Sequence, residues 1–136
     1  MVRRICKDPI FLSRKSVDAT INDMDIARDL KDTLEDQKEG CVGMAANMIG
    51  VNKKIIVFEV CGNIVTMFNP EIVSKSSPTE MTEGCLCFSG VKTVKRYLKI
   101  KVKYLDDNFK PQENEYIGFT AEIIQHEIDH LNGILV

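Results

Sequence analysis

The sequence lacks the features that would indicate nucleic-acid binding, a membrane span or a disulfide framework. Its 18 lysine and arginine residues are outnumbered by 20 aspartate and glutamate residues, so we expect no direct binding to nucleic acid. No apolar run approaches the length of a membrane span, and the first residues lack the apolar stretch of a signal peptide. The five cysteines are odd in number and have no regular spacing. These absences predict a reduced, cytoplasmic protein without membrane contact.

The length and composition are ordinary for one globular domain. The chain has 136 residues, of which 44% are hydrophobic and 28% are charged. A chain of this length can bury a sizeable core without disulfides or a structural metal. Because no internal repeat or low-complexity linker divides it, we predict a single domain over residues 1–136.

Histidine is scarce, and both histidines lie in one segment. His126 and His130 are four residues apart within Phe119–Gly133, whose apolar spacing predicts a helix that Thr120 could cap. Residues four apart share a helix face, and Glu127 follows the first histidine. This arrangement is typical of a divalent metal site with a general base for the bound water. A solvated helix without metal is the alternative, but apolar residues on more than one side predict burial, and buried polar groups need partners.

The remaining patterns predict one more helix and several strands. A stripe of Ile26, Leu30 and Leu34 predicts a packing helix over Asp23–Lys38. Runs of branched, aromatic or alternating residues predict two β-hairpins, formed by Lys53–Val60 with Ile64–Phe68 and by Lys99–Leu105 with Gln112–Tyr116.

Polar segments between these strands predict where pairing stops. We expect Asn69-Pro70 to end the first hairpin and Ser74–Thr79 to form a loop. The order is then a helix, mostly strands and a closing helix, which predicts an α+β domain built on antiparallel sheet.

A catalytic metal usually needs a third protein ligand beside the two histidines. Only six residues follow His130, and none of them is His, Asp, Glu or Cys, so the third ligand is expected upstream. Acidic residues are abundant there and remain alternatives. Cys85 is the best candidate, because a thiolate is a strong ligand and the preceding Gly84 lets the backbone approach closely.

Three segments resemble, in order, the three motifs of the peptide deformylases. They are Gly43–Ala46, Glu83–Leu86 and Gln125–His130. Asp8-Pro9, Asn69-Pro70, Val94–Arg96 and Leu131–Gly133 are also similar to that family, so the resemblance covers nearly the whole chain. It implies an α+β fold in which antiparallel β-sheets surround a central helix carrying the His-Glu-x-x-His motif.

The resemblance also implies roles for individual residues. Cys85, His126 and His130 would bind the metal, and Glu127 would be the general acid/base. The backbone N–H of Leu86 would contact the formyl oxygen. The motifs further imply substrate contacts by a set of residues from the first two segments, namely Gly43, Met44, Met48, Glu83 and Gly84.

The activity implied is metal-dependent removal of the N-formyl group from nascent peptides that begin with formylmethionine. The family works with Fe²⁺, for which Zn²⁺, Ni²⁺ or Co²⁺ can substitute. The expected partner is the formylated nascent peptide, with the ribosome as a further candidate. Two other functions fit the same residues: a degenerate homologue that binds peptides or the ribosome, and a hydrolase for another formyl or acyl amide.

The first motif departs from the family pattern in ways that favour slow catalysis. Met48 occupies the place of a glutamine whose amide donates to the oxyanion, and the adjacent Asn47 would point about 100° away on a helix. Loss of one such donor typically costs about 10²–10³ in turnover. Cys41 also replaces the first glycine of this motif.

Three residues near the other motifs also depart from the pattern or have no fixed role. Cys87 stands where the family has serine, and we expect a buried small residue rather than a competing ligand. Glu122 stands where the family favours arginine. Asp129 could orient a ligand or could be a surface or capping residue.

Overall fold

The computed structural model describes residues 1–85 and 87–136. Leu86, whose N–H is predicted to contact the substrate, lies outside the described residues. The helices are α1 (Pro9–Leu12), α2 (Met24–Asp36) and α3 (Gly118–Leu131), and the strands are β1 (Gly43–Ala45), β2 (Ile55–Val60), β3 (Asn63–Cys85), β4 (Phe88–Leu105) and β5 (Pro111–Ile117). The five strands form one antiparallel sheet in the order β1-β2-β3-β4-β5. The predicted α+β class is confirmed.

Both predicted hairpins are present. A two-residue turn joins β2 to β3, with Cys61 at φ 50° and Gly62 at φ 84°. Left-handed conformations at both turn residues match the twist that a tight hairpin requires. Between β4 and β5, the Asp106 carboxylate accepts hydrogen bonds from the backbone N–H groups of Asn108 and Lys110, so the acidic turn organises its own backbone.

The two predicted interruptions of the sheet are wrong. Asn69-Pro70 does not end the strand, because β3 passes through it with a register shift between Phe68 and Glu71. Asn69 has φ 52° at this irregularity, as is common where an extra residue is accommodated in a β-bulge. Ser74–Thr79 also belongs to β3 and pairs with β4, although Ser77 has φ 61°, and Ser74 to Pro78 are exposed. A ribbon without a buried face gives no alternating pattern for a sequence to reveal.

Helix α3 is the central element of the fold. It packs against β1, β2, β4 and β5, and nine of its 14 residues are buried, including both histidines. The side-chain amide of Gln125 joins it to β4, accepting from the Tyr97 N–H and donating to the Tyr97 carbonyl, each at 2.8 Å. The expected Thr120 cap is wrong: α3 begins at Gly118 without a side-chain cap. In the described part of the chain, no helix is long and apolar enough to cross a membrane.

Candidate metal centre

The structure brings together the three predicted metal ligands from distant parts of the chain. His126 and His130 lie on the buried face of α3, and Cys85 ends β3. The Nε2 atoms of His126 and His130 are 3.2 Å apart, and the Cys85 Sγ lies 3.3 Å from the His130 Nε2. One donor atom from each residue falls within 4.8 Å of the others. The arrangement therefore forms a compact group of three donors.

The spacing and chemistry of these donors fit a small divalent cation. Tetrahedral bonds of about 2.1 Å place two imidazole nitrogens about 3.4 Å apart, close to the 3.2 Å between His126 and His130. The Nδ1 of His126 lies 2.8 Å from a Glu83 carboxylate oxygen. If Nδ1 carries the proton and donates it there, the lone pair is on Nε2, which faces Cys85 and His130.

Glu83 is part of a buried ionic network behind His126. Arg96, only 4% exposed, donates to both Glu83 oxygens at 3.0 Å and 2.8 Å and to the Asp129 carboxylate at 2.6 Å. Burial raises the pKa of Glu83, but hydrogen bonds from His126 and Arg96 outweigh it and lower that pKa to about 2. The network therefore keeps Glu83 ionised and able to accept from His126.

The network includes two residues that the sequence singled out, Glu83 and Asp129, and a third, Arg96, that was missed. The Asp129 carboxylate accepts a hydrogen bond from Arg96, so it contacts the network and not a ligand ring. Glu83 lines the cavity with a carboxylate that is already bonded, so any substrate contact falls to the rest of the residue. Arg96 was not assigned a role, because its pairings to Glu83 and Asp129 span 13 and 33 residues and leave no local pattern.

The neighbouring Cys87 favours the ionised form of the Cys85 thiol. A hydrogen bond from Cys87 is the largest influence that lowers the pKa of Cys85, and His126 and His130 lower it further against the effect of burial. A lowered pKa favours the thiolate, the form that binds metals. Cys87 is 3% exposed, so it is buried as predicted.

Glu127 has the environment expected of a general base. It is 4% exposed, and burial raises its pKa to about 7 despite the two neighbouring histidines. Its Oε1 has no hydrogen-bond partner within the described residues. A Cβ on Gly43 would lie 3.0 Å from Glu127 Oε2 and 2.6 Å from Ile123 Cγ2. The absent side chain at Gly43 thus lets β1 approach the base closely.

A cavity of about 510 Å³ opens onto two of the three ligands, Cys85 and His126, and onto Glu127. Its lining includes most of the residues predicted to contact substrate, namely Gly43, Met48, Glu83 and Gly84. The predicted substrate contact by the Met44 side chain is wrong, because this side chain is fully buried in the core and is absent from the described lining. Its side chain alternates away from the cavity because successive strand residues face opposite sides.

The short 3-10 turn Ala46–Ile49 places the divergent residues of the first motif. Met48 lines the cavity, and its sulfur accepts the Ala45 N–H at 3.4 Å. Asn47 is turned away, as expected, and its amide Nδ2 donates to the His130 carbonyl at 2.7 Å. Neither side chain presents an amide donor to the cavity.

Comparison with known proteins places this geometry in a family. The Polypeptide deformylase family matches residues 2–136. A peptide deformylase of Clostridium beijerinckii is 52% identical over 136 residues, covering 100% of both chains, and one of Thermotoga maritima is 34% identical over 140 residues, covering 98% of this chain and 82% of that protein.

Solved structures agree with the sequence comparison. A class I type b peptide deformylase of Acinetobacter baumannii with bound Met-Ala-Ser has a TM-score of 0.90 at 30% identity, covering 99% of this chain and 97% of that one. A peptide deformylase of Legionella pneumophila has a TM-score of 0.90 at 37% identity, covering 99% and 83%. With its motifs, its fold and its full length matched, the chain belongs to the peptide deformylase family.

Proposed function

We propose that this peptide deformylase removes the formyl group from nascent peptides that begin with formylmethionine, using Cys85, His126 and His130 as metal ligands and Glu127 as general acid/base. The observation that carries the proposal is the convergence of the three donor atoms within 4.8 Å, beside a cavity lined by Cys85, His126 and Glu127. The buried carboxyl has no role in packing that an apolar side chain would not fill better.

The metal proposed for this site is Fe²⁺, with Zn²⁺, Ni²⁺ or Co²⁺ able to substitute. One thiolate and two neutral imidazoles are suitable ligands for any of these ions. When bound, such an ion lowers the pKa of a water molecule toward neutrality and polarises a carbonyl group.

Glu127 moves the proton in the proposed reaction. It takes a proton from the water that attacks the formyl carbon and delivers it to the amine nitrogen as the carbon–nitrogen bond breaks, which releases formate and a peptide with a free amine. A pKa of about 7 lets one carboxyl group accept and then donate near neutral pH. The Gly43 backbone limits how far Glu127 can move, because it lies against this side chain.

The remaining cavity residues are proposed to hold the peptide. Gly43 and Gly84 offer backbone without a side chain in the way, and Met48 offers an apolar surface. The proposed contact between the Leu86 N–H and the formyl oxygen would stabilise negative charge on that oxygen. Because Met48 cannot donate as well, catalysis is expected to be slow. Nascent peptides are met at the ribosome, so the proposed place of action is beside the ribosome in the cytoplasm.

Formate release from formyl-Met-Ala-Ser by Ni²⁺-loaded protein tests the proposal. We expect turnover that falls at least about 10²-fold in Glu127→Ala, since a positioned acid/base contributes about that much or more. Equal formate release by the two proteins would contradict the proposal. Tight peptide binding without formate would instead support a binding homologue, which the missing amide at Met48 favours. Release only from other formyl amides would support a different hydrolase.

A further inference from the structure

The two histidine ligands are oriented by different means. The ring of His126 is held directly, because its Nδ1 is hydrogen-bonded to the Glu83 carboxylate at 2.8 Å. The ring of His130 is fully buried, and its Nδ1 has no hydrogen-bond partner among the described residues. Ligand histidines usually rely on a bond at the second ring nitrogen to fix their direction. The direction of the His130 ring therefore depends on the position of its backbone and on packing.

The backbone of His130 is fixed by a long-range bond from Asn47. The Asn47 amide donates to the His130 carbonyl at 2.7 Å, across 83 residues of sequence, and both residues are 0% exposed. Carbonyls in the last turn of a helix have no partner within the helix. The His130 carbonyl also accepts the Gly133 N–H at 3.1 Å, so it receives local hydrogen bonding as well as the bond from a distant segment.

Asn47 also connects the metal ligand to the cavity wall. It lies in the turn Ala46–Ile49 that follows β1, directly before the cavity residue Met48. Gly43, in the same segment, packs against Glu127. One short stretch of chain thus contacts the general base at one point and the last turn of α3 at another. A shift of this turn would move the cavity wall and the His130 ligand together.

We propose that Asn47 is a positioning residue for the metal centre, which fixes His130 through its carbonyl as Glu83 fixes His126 through its ring. The inference rests on the proposed metal site and adds to it a residue that touches neither metal nor substrate. It assigns a role to the side chain adjacent to the divergent Met48. The interaction is a buried neutral amide bond, so its loss leaves the His130 carbonyl without its distant donor.

Asn69 provides a matched control. Its side chain also joins distant backbone, donating to the Ala19 carbonyl at 3.0 Å and accepting the Ala19 N–H at 2.8 Å. Asn69 is neither a ligand nor part of the cavity lining. Asn69→Asp therefore removes a comparable long-range amide bond without touching α3. Asn47→Asp makes the same chemical change at the proposed positioning site.

The test measures Co²⁺ affinity by chelator competition and records the thiolate-to-cobalt absorption band, with stability followed by urea unfolding. We expect Asn47→Asp to weaken Co²⁺ binding about 10- to 100-fold and to shift the band, as loss of an outer hydrogen-bond partner does at other metal sites. Asn69→Asp should keep the affinity within about twofold of the unmutated protein. Asn47→Ser should weaken Co²⁺ binding in the same way, because the serine side chain is too short to reach the His130 carbonyl and carries no charge. It serves as the test variant if Asn47→Asp does not fold.

Two results would overturn the proposal. One is Co²⁺ affinity and an absorption band unchanged in Asn47→Ser, and the other is an equal loss in Asn69→Asp, which would show that general destabilisation is the cause. Failure of the metal site itself would look different, because the unmutated protein would then show no thiolate band with Co²⁺.

Discussion

A carboxyl group buried as fully as that of Glu127 opposes folding when it is ionised. Its pKa is raised from 4.5 to about 7 by burial. A carboxyl with a raised folded-state pKa contributes stability that is fully present below its unfolded pKa and is lost as pH rises through the folded pKa. For Glu127 that window runs from about pH 4.5 to pH 7, so the metal-free protein carries the full penalty at pH 8.

Replacement of Glu127 by glutamine should remove this penalty together with the activity. We expect metal-free Glu127→Gln to be more stable than the unmutated protein by about 1–3 kcal/mol at pH 8 and nearly equal at pH 4. Urea unfolding at the two pH values measures the difference. A stabilisation of the same size at both would show that ionisation of Glu127 is not its cause.

Met48 is the other residue whose chemistry makes a distinct prediction. Its sulfur accepts the Ala45 N–H at 3.4 Å, a bond that the side-chain carbonyl of a glutamine could make while its amide faces the cavity. Met48→Gln should raise kcat about 10²-fold with little change in KM, since one oxyanion donor is typically worth about 10²–10³. Met48→Leu, which is apolar and has no donor, should give no gain. A gain in both variants would contradict the donor explanation.

The site residues that the sequence could predict are those whose chemistry is local. His126, Glu127 and His130 lie within one turn and a half of helix, and Cys85 followed from the need for a third ligand. The supporting contacts were beyond prediction, because Arg96 and Asn47 act on residues that are 13 to 83 positions away. In the sequence Arg96 and Asn47 look like ordinary polar residues. Their contacts with the site become visible only when the fold buries them beside it.

At the scale of elements, β1 and α3 approach each other at a glycine. A Cβ on Gly43 would lie 2.6 Å from Ile123 Cγ2 and 3.0 Å from Glu127 Oε2. Gly43→Ala should therefore destabilise the protein by about 1–3 kcal/mol through overpacking. It should also lower kcat at least tenfold, because small displacements of a catalytic group have large effects on rate.

Gly40→Ala is the matched control for this prediction. A Cβ at Gly40 would meet nothing within 4 Å, so its free energy of unfolding should change by less than about 1 kcal/mol. Urea unfolding and formate release measure the two effects. Equal destabilisation by the two alanines would contradict the close approach of β1 to α3.

Elements with a buried face were predictable, and those without one were not. Helix α3 and the hairpin of β2 with β3 bury apolar residues at regular spacing, which the sequence displays. The middle of β3 does not: Ser74 to Pro78 are exposed, so this part of the strand has no buried face that an alternating pattern could reveal. Asn69-Pro70 misled the prediction for another reason, since a bulge absorbs the two residues without ending the strand.

At the scale of the whole molecule, the cavity has an acidic wall. Glu122 lines it, and no lysine or arginine is in the described lining. Glu83 is compensated by Arg96, whereas Glu122 has no ion pair within the described residues. Burial and the neighbouring Glu83 raise the pKa of Glu122 to about 7, so it is mostly ionised at pH 8. A substrate with a cation near this wall should be favoured.

Paired substrates measure this preference. At pH 8 and low ionic strength, kcat/KM for formyl-Met-Lys peptides should exceed that for formyl-Met-Glu peptides by about three- to tenfold, the effect of one charge at about 6 Å in a partly screened cavity. Glu122→Gln should abolish most of the difference. Glu113→Gln, an exposed residue of β5, should leave it intact. A ratio unaffected by Glu122→Gln would contradict the assignment.

The central claim is that one cation is held by Cys85, His126 and His130 beside Glu127. Anomalous X-ray diffraction from crystals of anaerobically prepared, Ni²⁺-loaded protein, collected on both sides of the nickel absorption edge, tests it most directly. We expect one strong anomalous peak at bonding distance from the Cys85 Sγ and the Nε2 atoms of both histidines. A crystal in which nickel lies elsewhere, or in which Cys85 is turned away from the histidines, would contradict the account.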